Sequence, residues 1–256
     1  MERTETAAFV LHTESTGEQG LGLDLISPTL GRIKVWSPHG RSRRSQVKAM
    51  AQLFSPLLIT FKLEGGQRIL CGCAAAGMPF TFNPPFLFTA LYLNELTALL
   101  FREEGVGPLF FAAYLRALSA LQALQNNTSL PQTLINDQLE CILRNFELDV
   151  IACSGFNFDW LHEAFTGEPI EVKERYVLEP ENGFRLFIPG ENPELKLLLT
   201  GEQILAVANR DFAPDSLKVA KKICRLFITH LLQGQSLRSR QLYIDYLKSY
   251  NQESYN

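Results

Sequence analysis

The sequence predicts an α+β protein: a small β-barrel or sandwich over residues 1–80, then a mostly α-helical domain over residues 81–256 with one β-hairpin. Three observations carry this. Up to about residue 80 the chain reads as five short, β-rich segments parted by turn residues. From "FLFTALYLNELTALLF" onward, apolar residues recur at helical spacing. Finally, "RYVLEPENGFRLFI" sets Asn182-Gly183 between two strand-like runs, a strong hairpin signal near residues 174–188.

The five strand candidates are "AAFVLHT", "LGLDLIS", "RIKVWS", "LFSPLLITFKL" and "RILCGCAA". Gly20, Gly31, Gly40 and the pair Gly65-Gly66 mark their turns. Alternation in "RIKVW" sends Ile33 and Val35 to one face. Arg32, Lys34 and Trp36 then share the other, outward face, while Phe54 and Phe61 read as core. Asn83 is placed to cap the first helix, with Pro84 in its first turn. That helix is apolar on most sides and so belongs in the interior. Helices over 108–125, 132–147, 201–209, 216–233 and 238–250 follow. "TGEQ" at 200–203 has capping-box spacing, with Thr200 as N-cap and Gln203 as N3.

A content of 46% hydrophobic and 20% charged residues is that of a soluble globular chain. No apolar run reaches the roughly 18 residues of a membrane span. The longest candidate, Phe86 to Phe101, is interrupted by Asn94 and Glu95. The opening "MERTETAAFVLHTE" has acids where a secretory signal would have bases. A cytoplasmic location is therefore expected, with no membrane partner and with the five cysteines as thiols in a reducing compartment.

The net charge of −3 hides a sorting of charge. Between Asp24 and Glu64 there is no acid, against seven bases: Arg32, Lys34, Arg41, Arg43, Arg44, Lys48 and Lys62. Between Asp215 and Asp245 there is again none, against six: Lys218, Lys221, Lys222, Arg225, Arg238 and Arg240. Taking those 13 from the total of 24 leaves 11 bases against all 27 acids elsewhere. Such segregation points to a polyanionic partner, most often nucleic acid. At 100° per residue Lys218, Lys221, Lys222 and Arg225 fall on one side of their helix, opposite Val219, Ala220, Ile223, Cys224, Phe227 and Leu231.

Few residue groups suggest chemistry. Cys71 and Cys73 read as neighbours on one face of a strand, and a structural zinc site would need a second close pair. Cys141, Cys153 and Cys224 stand alone, so neither metal nor cofactor is expected. "DWLHE" spaces Asp159, His162 and Glu163 by one turn, which supports an alternative reading as a metal-dependent hydrolase. "GEQGLGLD" holds a G-x-G without the third glycine or a following helix, and reads as a turn. There is no P-loop and no G-x-S-x-G.

"AAFVLHTESTGEQGLGLDLISPTLGRIKVWSPHGRSRRSQVKAMAQLFSPLLITF" resembles the N-terminal region of the bacterial RecO family. The shared features are an "AFVLH" strand, an acidic second strand, a "GR" turn, a basic loop and a "QPFTPLLL"-like strand, here Gln52, Phe54, Pro56, Leu57 and Leu58. "LYLNELTALL" looks like the family's first long helix, and "LTGEQILAVANRDFAPDSLKVAKKICRLFITHLLQGQSLRSRQLY" is similar to its C-terminal region. The resemblance implies an OB-fold followed by a helical domain. It also implies a non-enzymatic recombination mediator that binds single- and double-stranded DNA and anneals strands. Implied partners are RecR, in some bacteria RecF, and the acidic, apolar-ended C-terminal tail of single-stranded DNA-binding protein (SSB), from whose DNA complexes the family helps load RecA. DNA contacts would fall to Arg32, Lys34, Trp36, Arg41, Arg43, Arg44 and Lys48, and to Lys218, Lys221, Lys222, Arg225, Arg238 and Arg240. Read from the residues alone, an RNA-binding OB protein stays open, and Trp36 is either a base-stacking platform or a core residue. The chain departs from the family twice. Its loop runs "SPHGR" at 37–41 where many members have "AKGAR". The helix near 136–147 opens Asn136-Asp137-Gln138-Leu139 where members carry arginines.

Overall fold

The computed structural model describes residues 3–101, 107–155, 159–190 and 197–253. Its contacts group into two compact units, residues 1–129 with 237–256, and residues 130–236. Composition changes near residue 80, whereas the contacts of the first unit run on through two helices and take in the last one.

In the first unit, strands β1 (Arg3–Thr16), β2 (Gly20–Ser27), β3 (Gly31–Ser37), β4 (Pro56–Glu64) and β5 (Gln67–Ala75) close a barrel in the order β1-β2-β3-β5-β4. A short helix, α1 (Val47–Met50), lies between β3 and β4. Pairing is antiparallel except where β3 meets β5, in parallel, at Trp36 and Ile69. This is the five-stranded architecture of an OB-fold. Ile33 and Val35 enter the barrel core with Leu23, Leu25, Ile59 and Phe61, as alternation requires. Phe54 is also buried, edge-on to Phe82.

Two bulges break the strict period of two. In β1, Val10 pairs with Leu25 and His12 with Asp24, so Leu11 is an extra residue. Val10 points into the barrel, whereas Phe9 leaves it and lies 6.0 Å from the rings of Phe80, Phe111 and Tyr114. In β5, Thr60 faces Gly72 and Phe61 faces Leu70, leaving Cys71 over. The shared face expected for Cys71 and Cys73 is therefore corrected. Leu70 and Cys73 pack on the core, and Cys71 is exposed.

Helices α2 (Phe86–Leu100) and α3 (Pro108–Asn126) continue this unit, and α7 (Arg238–Glu253) packs on α2. Asn83 is not the cap of α2. The N-cap position is Pro85, and the Asn83 carbonyl instead accepts from Leu87 N–H. The polar interruption at Asn94 has a structural purpose. Its Nδ2 donates to the carbonyls of Val10 (3.3 Å) and Leu11 (3.0 Å), and its Oδ1 accepts from the Tyr114 hydroxyl at 2.6 Å. Glu95 holds the start of α7, accepting from Arg238 N–H, Ser239 N–H and the Ser239 hydroxyl.

The second unit contains α4 (Gln132–Cys153), α5 (Gly201–Ala208) and α6 (Pro214–Leu232) beside a sheet ordered β7-β6-β8. Strands β6 (Arg175–Glu179) and β7 (Gly183–Leu186) are the expected hairpin, with Glu179 opposite Gly183, and β8 (Leu197–Thr200) adds a third strand. The Thr200–Gln203 capping box forms in both directions. Helix α4 runs six residues beyond the expected end and packs on α6. Arg210 ties the turn after α5 to Asn145 and to Asp149, at 2.5 Å. Among the described residues, no helix is long and apolar enough to cross a membrane.

The "DWLHE" residues lie in this unit. His162 Nδ1 and Asp159 Oδ2 are 2.8 Å apart at the surface. Glu163 is 6% exposed and serves the backbone: its carboxylate accepts from Phe165 N–H, Thr166 N–H, the Thr166 hydroxyl and Leu186 N–H. Burial pushes its pKa up, but the donors of Thr166, Phe165 and Leu186 outweigh that and hold it below the ordinary value.

Two predictions follow from these buried polar groups. Asn94→Ala orphans the Leu11 carbonyl and the Tyr114 hydroxyl, so urea unfolding should show a loss of about 2–4 kcal/mol, against about 1–2 for Tyr114→Phe. The double variant should lose less than the sum, because both substitutions break one shared bond. For Glu163, a depressed folded pKa means stability present above the unfolded value and lost as pH falls through the folded one. Glu163→Gln should therefore unfold more easily than the parent at pH 7, with the gap closing towards pH 3. A gap independent of pH would refute the ionised, backbone-bound carboxylate.

Candidate nucleic-acid interface

The basic loop after β3 is built by its backbone. Consecutive turns close Gly40 N–H on Ser37 O, Ser42 N–H on His39 O and Ser45 N–H on Ser42 O. Arg41 N–H bonds to Gln19 O, at 2.9 Å, which pins the loop to the β1–β2 turn. Gly40 is buried there, and a Cβ on it would lie 2.7 Å from Leu21 Cβ. That close approach requires glycine at this position of "SPHGR". The loop backbone is thus fixed, while Arg41, Arg43, Arg44 and, on α1, Lys48 point their side chains into solvent. Among the described residues, only Arg41 of these has an internal side-chain hydrogen bond, a long 3.4 Å one to Gly17 O. His39 is exposed, with its ring 3.4 Å from Gln19.

The outward face of β3 holds the other predicted residues, and they differ. Arg32 is committed internally: Nε and Nη2 clasp the Asp24 carboxylate at 2.9 and 2.6 Å, and Nη1 donates to Phe101 O at 2.7 Å. Lys34 is exposed, with no ion-pair partner among the described residues. Trp36 is half-buried on this outer face and is not part of the barrel core. No ring of a described residue stacks on it, and its Nε1 is buried without a hydrogen-bond partner. It lines an open groove of about 570 Å³ together with Lys34, Gln67 and Arg68. Periodicity did not single out Gln67 and Arg68, which reach the groove because the β4–β5 hairpin folds beside β3.

In the second unit α6 presents the expected stripe, with Lys218, Lys221, Lys222 and Arg225 exposed and Val219, Ala220, Ile223, Cys224 and Phe227 buried. Two of the four cations are answered. Lys218 pairs with Asp215 at 3.1 Å and Lys221 with Glu140 of α4 at 2.8 Å. Lys222 and Arg225 have no acid partner among the described residues. Arg238 and Arg240, exposed at the start of α7, belong with the first unit rather than with this stripe.

The "DWLHE" residues do not come together as a metal site. Glu163 is occupied by backbone donors, and among the described residues no three His, Cys, Asp or Glu side chains could hold a metal ion.

Comparison with known proteins agrees with this architecture. Residues 1–70 match the family model described as "Recombination protein O N terminal". The DNA repair protein RecO of Aliivibrio salmonicida (strain LFI1238) is 31% identical over 250 residues, covering 97% of this chain and 99% of that protein. The DNA repair protein RecO of Vibrio vulnificus (strain CMCP6) is 33% identical over 237 residues, covering 92% and 91%. That of Vibrio atlanticus (strain LGP32) is 32% identical over the same length. With a barrel in the matched region and likeness sustained along the rest of the chain, this protein belongs to the RecO family.

Proposed function

We propose that this protein is a non-enzymatic, DNA-binding recombination mediator. It binds single- and double-stranded DNA, anneals complementary strands, and with RecR (in some bacteria also RecF) helps load RecA onto SSB-coated DNA. The observation that carries this reading is the set of exposed cations Lys34, Arg41, Arg43, Arg44 and Lys48 on one barrel, with no acid in sequence from Leu25 to Leu63. An OB barrel suits the task, because its sheet face and loops follow a backbone with cations while aromatics take bases. Relatives named DNA repair proteins support the biological setting. Annealing brings two polyanions together, and surface cations lower their repulsion by releasing condensed counterions. Arg32 supports this surface through Asp24 rather than through phosphate. Lys218, Lys221, Lys222 and Arg225, with Arg238 and Arg240, supply further positive surface for DNA or for the acidic SSB tail.

The loop cluster gives a numerical test. For single strands the slope of log K against log salt is about −0.7 per phosphate neutralised. Changing Arg41, Arg43 and Arg44 together to Ala should flatten that slope by roughly 2 units and weaken binding at low salt. The loss should be alike for unrelated DNA sequences, because phosphate contacts carry no base information. Thermal stability should barely change, since these side chains are exposed. An unchanged slope would remove the loop from the interface.

The tail contact is tested on α6, where Lys222 and Arg225 are the members of the stripe without acid partners among the described residues. A labelled SSB tail peptide should bind the Lys222→Glu, Arg225→Glu variant at least tenfold more weakly than the parent, which is about 1.4 kcal/mol. Equal affinity in a folded variant would place the tail elsewhere.

A further inference from the structure

The groove beside Trp36 has a floor that the sequence leaves bare. Across the outer face of the barrel, Glu14, Gly22 and Trp36 form one cross-strand row over β1, β2 and β3, and His12, Asp24 and Lys34 form the next. In the first row the central residue has no side chain, and Glu14, Gly22 and Trp36 all line the groove. Nothing in the fold requires glycine there. Gly22 lies outside the left-handed region, and a Cβ on it would meet nothing nearer than 3.7 Å. A mid-strand glycine costs stability for want of a side chain, and often marks a place where a ligand comes close to the backbone. Trp36 is placed in the same sense: it is half-buried, and no ring of a described residue covers its face.

Charge identifies the occupant. Lys34 and Arg68 lie on the β3–β5 side, and the Asp24 carboxylate is neutralised by Arg32. Glu14 stands on the β1 side, which keeps phosphate to the opposite wall. A volume of about 570 Å³ is within the roughly 300–1,000 Å³ of small-molecule clefts. We infer that the Gly22 groove is a subsite for one unstacked nucleotide of a single strand, its base against Trp36 over the bare backbone and its phosphate towards Lys34. The inference rests on the DNA-binding reading and adds to it. The basic loop grips the phosphates of either DNA form, while the groove accepts single strands only, because a duplex offers no free base face to the indole.

The test uses the full-length protein, an oligodeoxythymidine, and a duplex of equal length. Gly22→Val fills the bare position with a residue suited to a strand, Trp36→Ala removes the platform, and Trp36→Phe keeps a smaller one. Gly22→Val and Trp36→Ala should each weaken single-strand binding by roughly 5- to 150-fold, the range for losing one stacked base. Trp36→Phe should retain most of the affinity. Duplex affinity and the salt slope should stay at parental values in all three. In a Trp160→Phe background, which leaves Trp36 as the sole tryptophan, the oligonucleotide should quench fluorescence and Gly22→Val should abolish the quenching. Parental single-strand affinity in Gly22→Val, or equal losses for single strand and duplex, would overturn the groove assignment while leaving the DNA-binding reading intact. A parent protein that binds neither DNA form would overturn both.

Discussion

The first unit depends on a single buried side chain. A β-bulge puts two residues where the partner strand has one and disturbs the hydrogen-bond ladder. At the β1 bulge the carbonyls of Val10 and Leu11 both turn to Asn94, which satisfies them from a helix 83 and 84 residues later in the chain. Tyr114 on α3 closes the arrangement by donating to the remaining amide oxygen. The Leu11 carbonyl and the Tyr114 hydroxyl are buried and would be costly to leave unpaired, on the order of 1–3 kcal/mol apiece, whereas the Val10 carbonyl also accepts from Phe54 N–H. The bulge also fixes the facing of all that follows in β1. With Leu11 extra, His12 and Glu14 turn outward and Thr13 turns towards Leu23; a regular strand would reverse them. The outer-face rows that end at Lys34 and Trp36 thus owe their composition to contacts made by α2 and α3. For the same reason those helices group with the barrel although their composition sets them apart.

The positive charge is less uniform in space than in sequence. In the first acid-free block Arg32 is turned back into the protein, where the surroundings strengthen a bidentate pair with Asp24 and a third bond to Phe101 O. In the second block Lys218 and Lys221 find Asp215 and Glu140. Among the described residues, the cations without an acid partner are fewer: the loop arginines, Lys34, Lys48, Arg238 and Arg240 on one unit, and Lys222 and Arg225 on the other. Exposed pairs such as Lys218–Asp215 contribute about 0–1 kcal/mol and break readily when a polyanion competes. Arg32 is different, because removing it from Asp24 would strand a carboxylate that is only 11% exposed.

Local signals in the sequence match the structure where the chain obeys a local rule. The alternation of "RIKVW" gave the facing of Trp36, Asn182-Gly183 gave the hairpin, and Thr200 with Gln203 gave a helix start, each set within a few residues. The failures share a different cause. The β5 bulge at Cys71 reverses the parity of every residue beyond it, and no pattern inside "RILCGCAA" announces the extra residue. Asn83 has the right chemistry for a cap, yet the helix begins two residues later, after Pro84 and Pro85. Asn94 looked like an interruption of an apolar helix because its partners lie in another element. The groove was illegible for the same reason. Gly22 read as part of a glycine turn, and only cross-strand register sets it between Glu14 and Trp36.

A protein that anneals strands must hold each one firmly enough to bring it, and release its bases when a complement arrives. Phosphate contacts alone do not distinguish the two states, since a duplex presents phosphates at least as densely as a single strand. A stacking subsite does. Its contribution of about 1–3 kcal/mol per base exists only while that base is unpaired. Base pairing returns stacking energy of about 1.4 kcal/mol per step within the new duplex. One to three steps of pairing therefore outweigh the surrendered contact, and on the proposed reading the duplex would remain bound through the loop cations until salt or a partner displaces it. A barrel with several strong base pockets would oppose pairing step by step. The proposed subsite, open and lined by one tryptophan, would set a threshold that a short run of correct pairs can cross and a chance match of one base cannot.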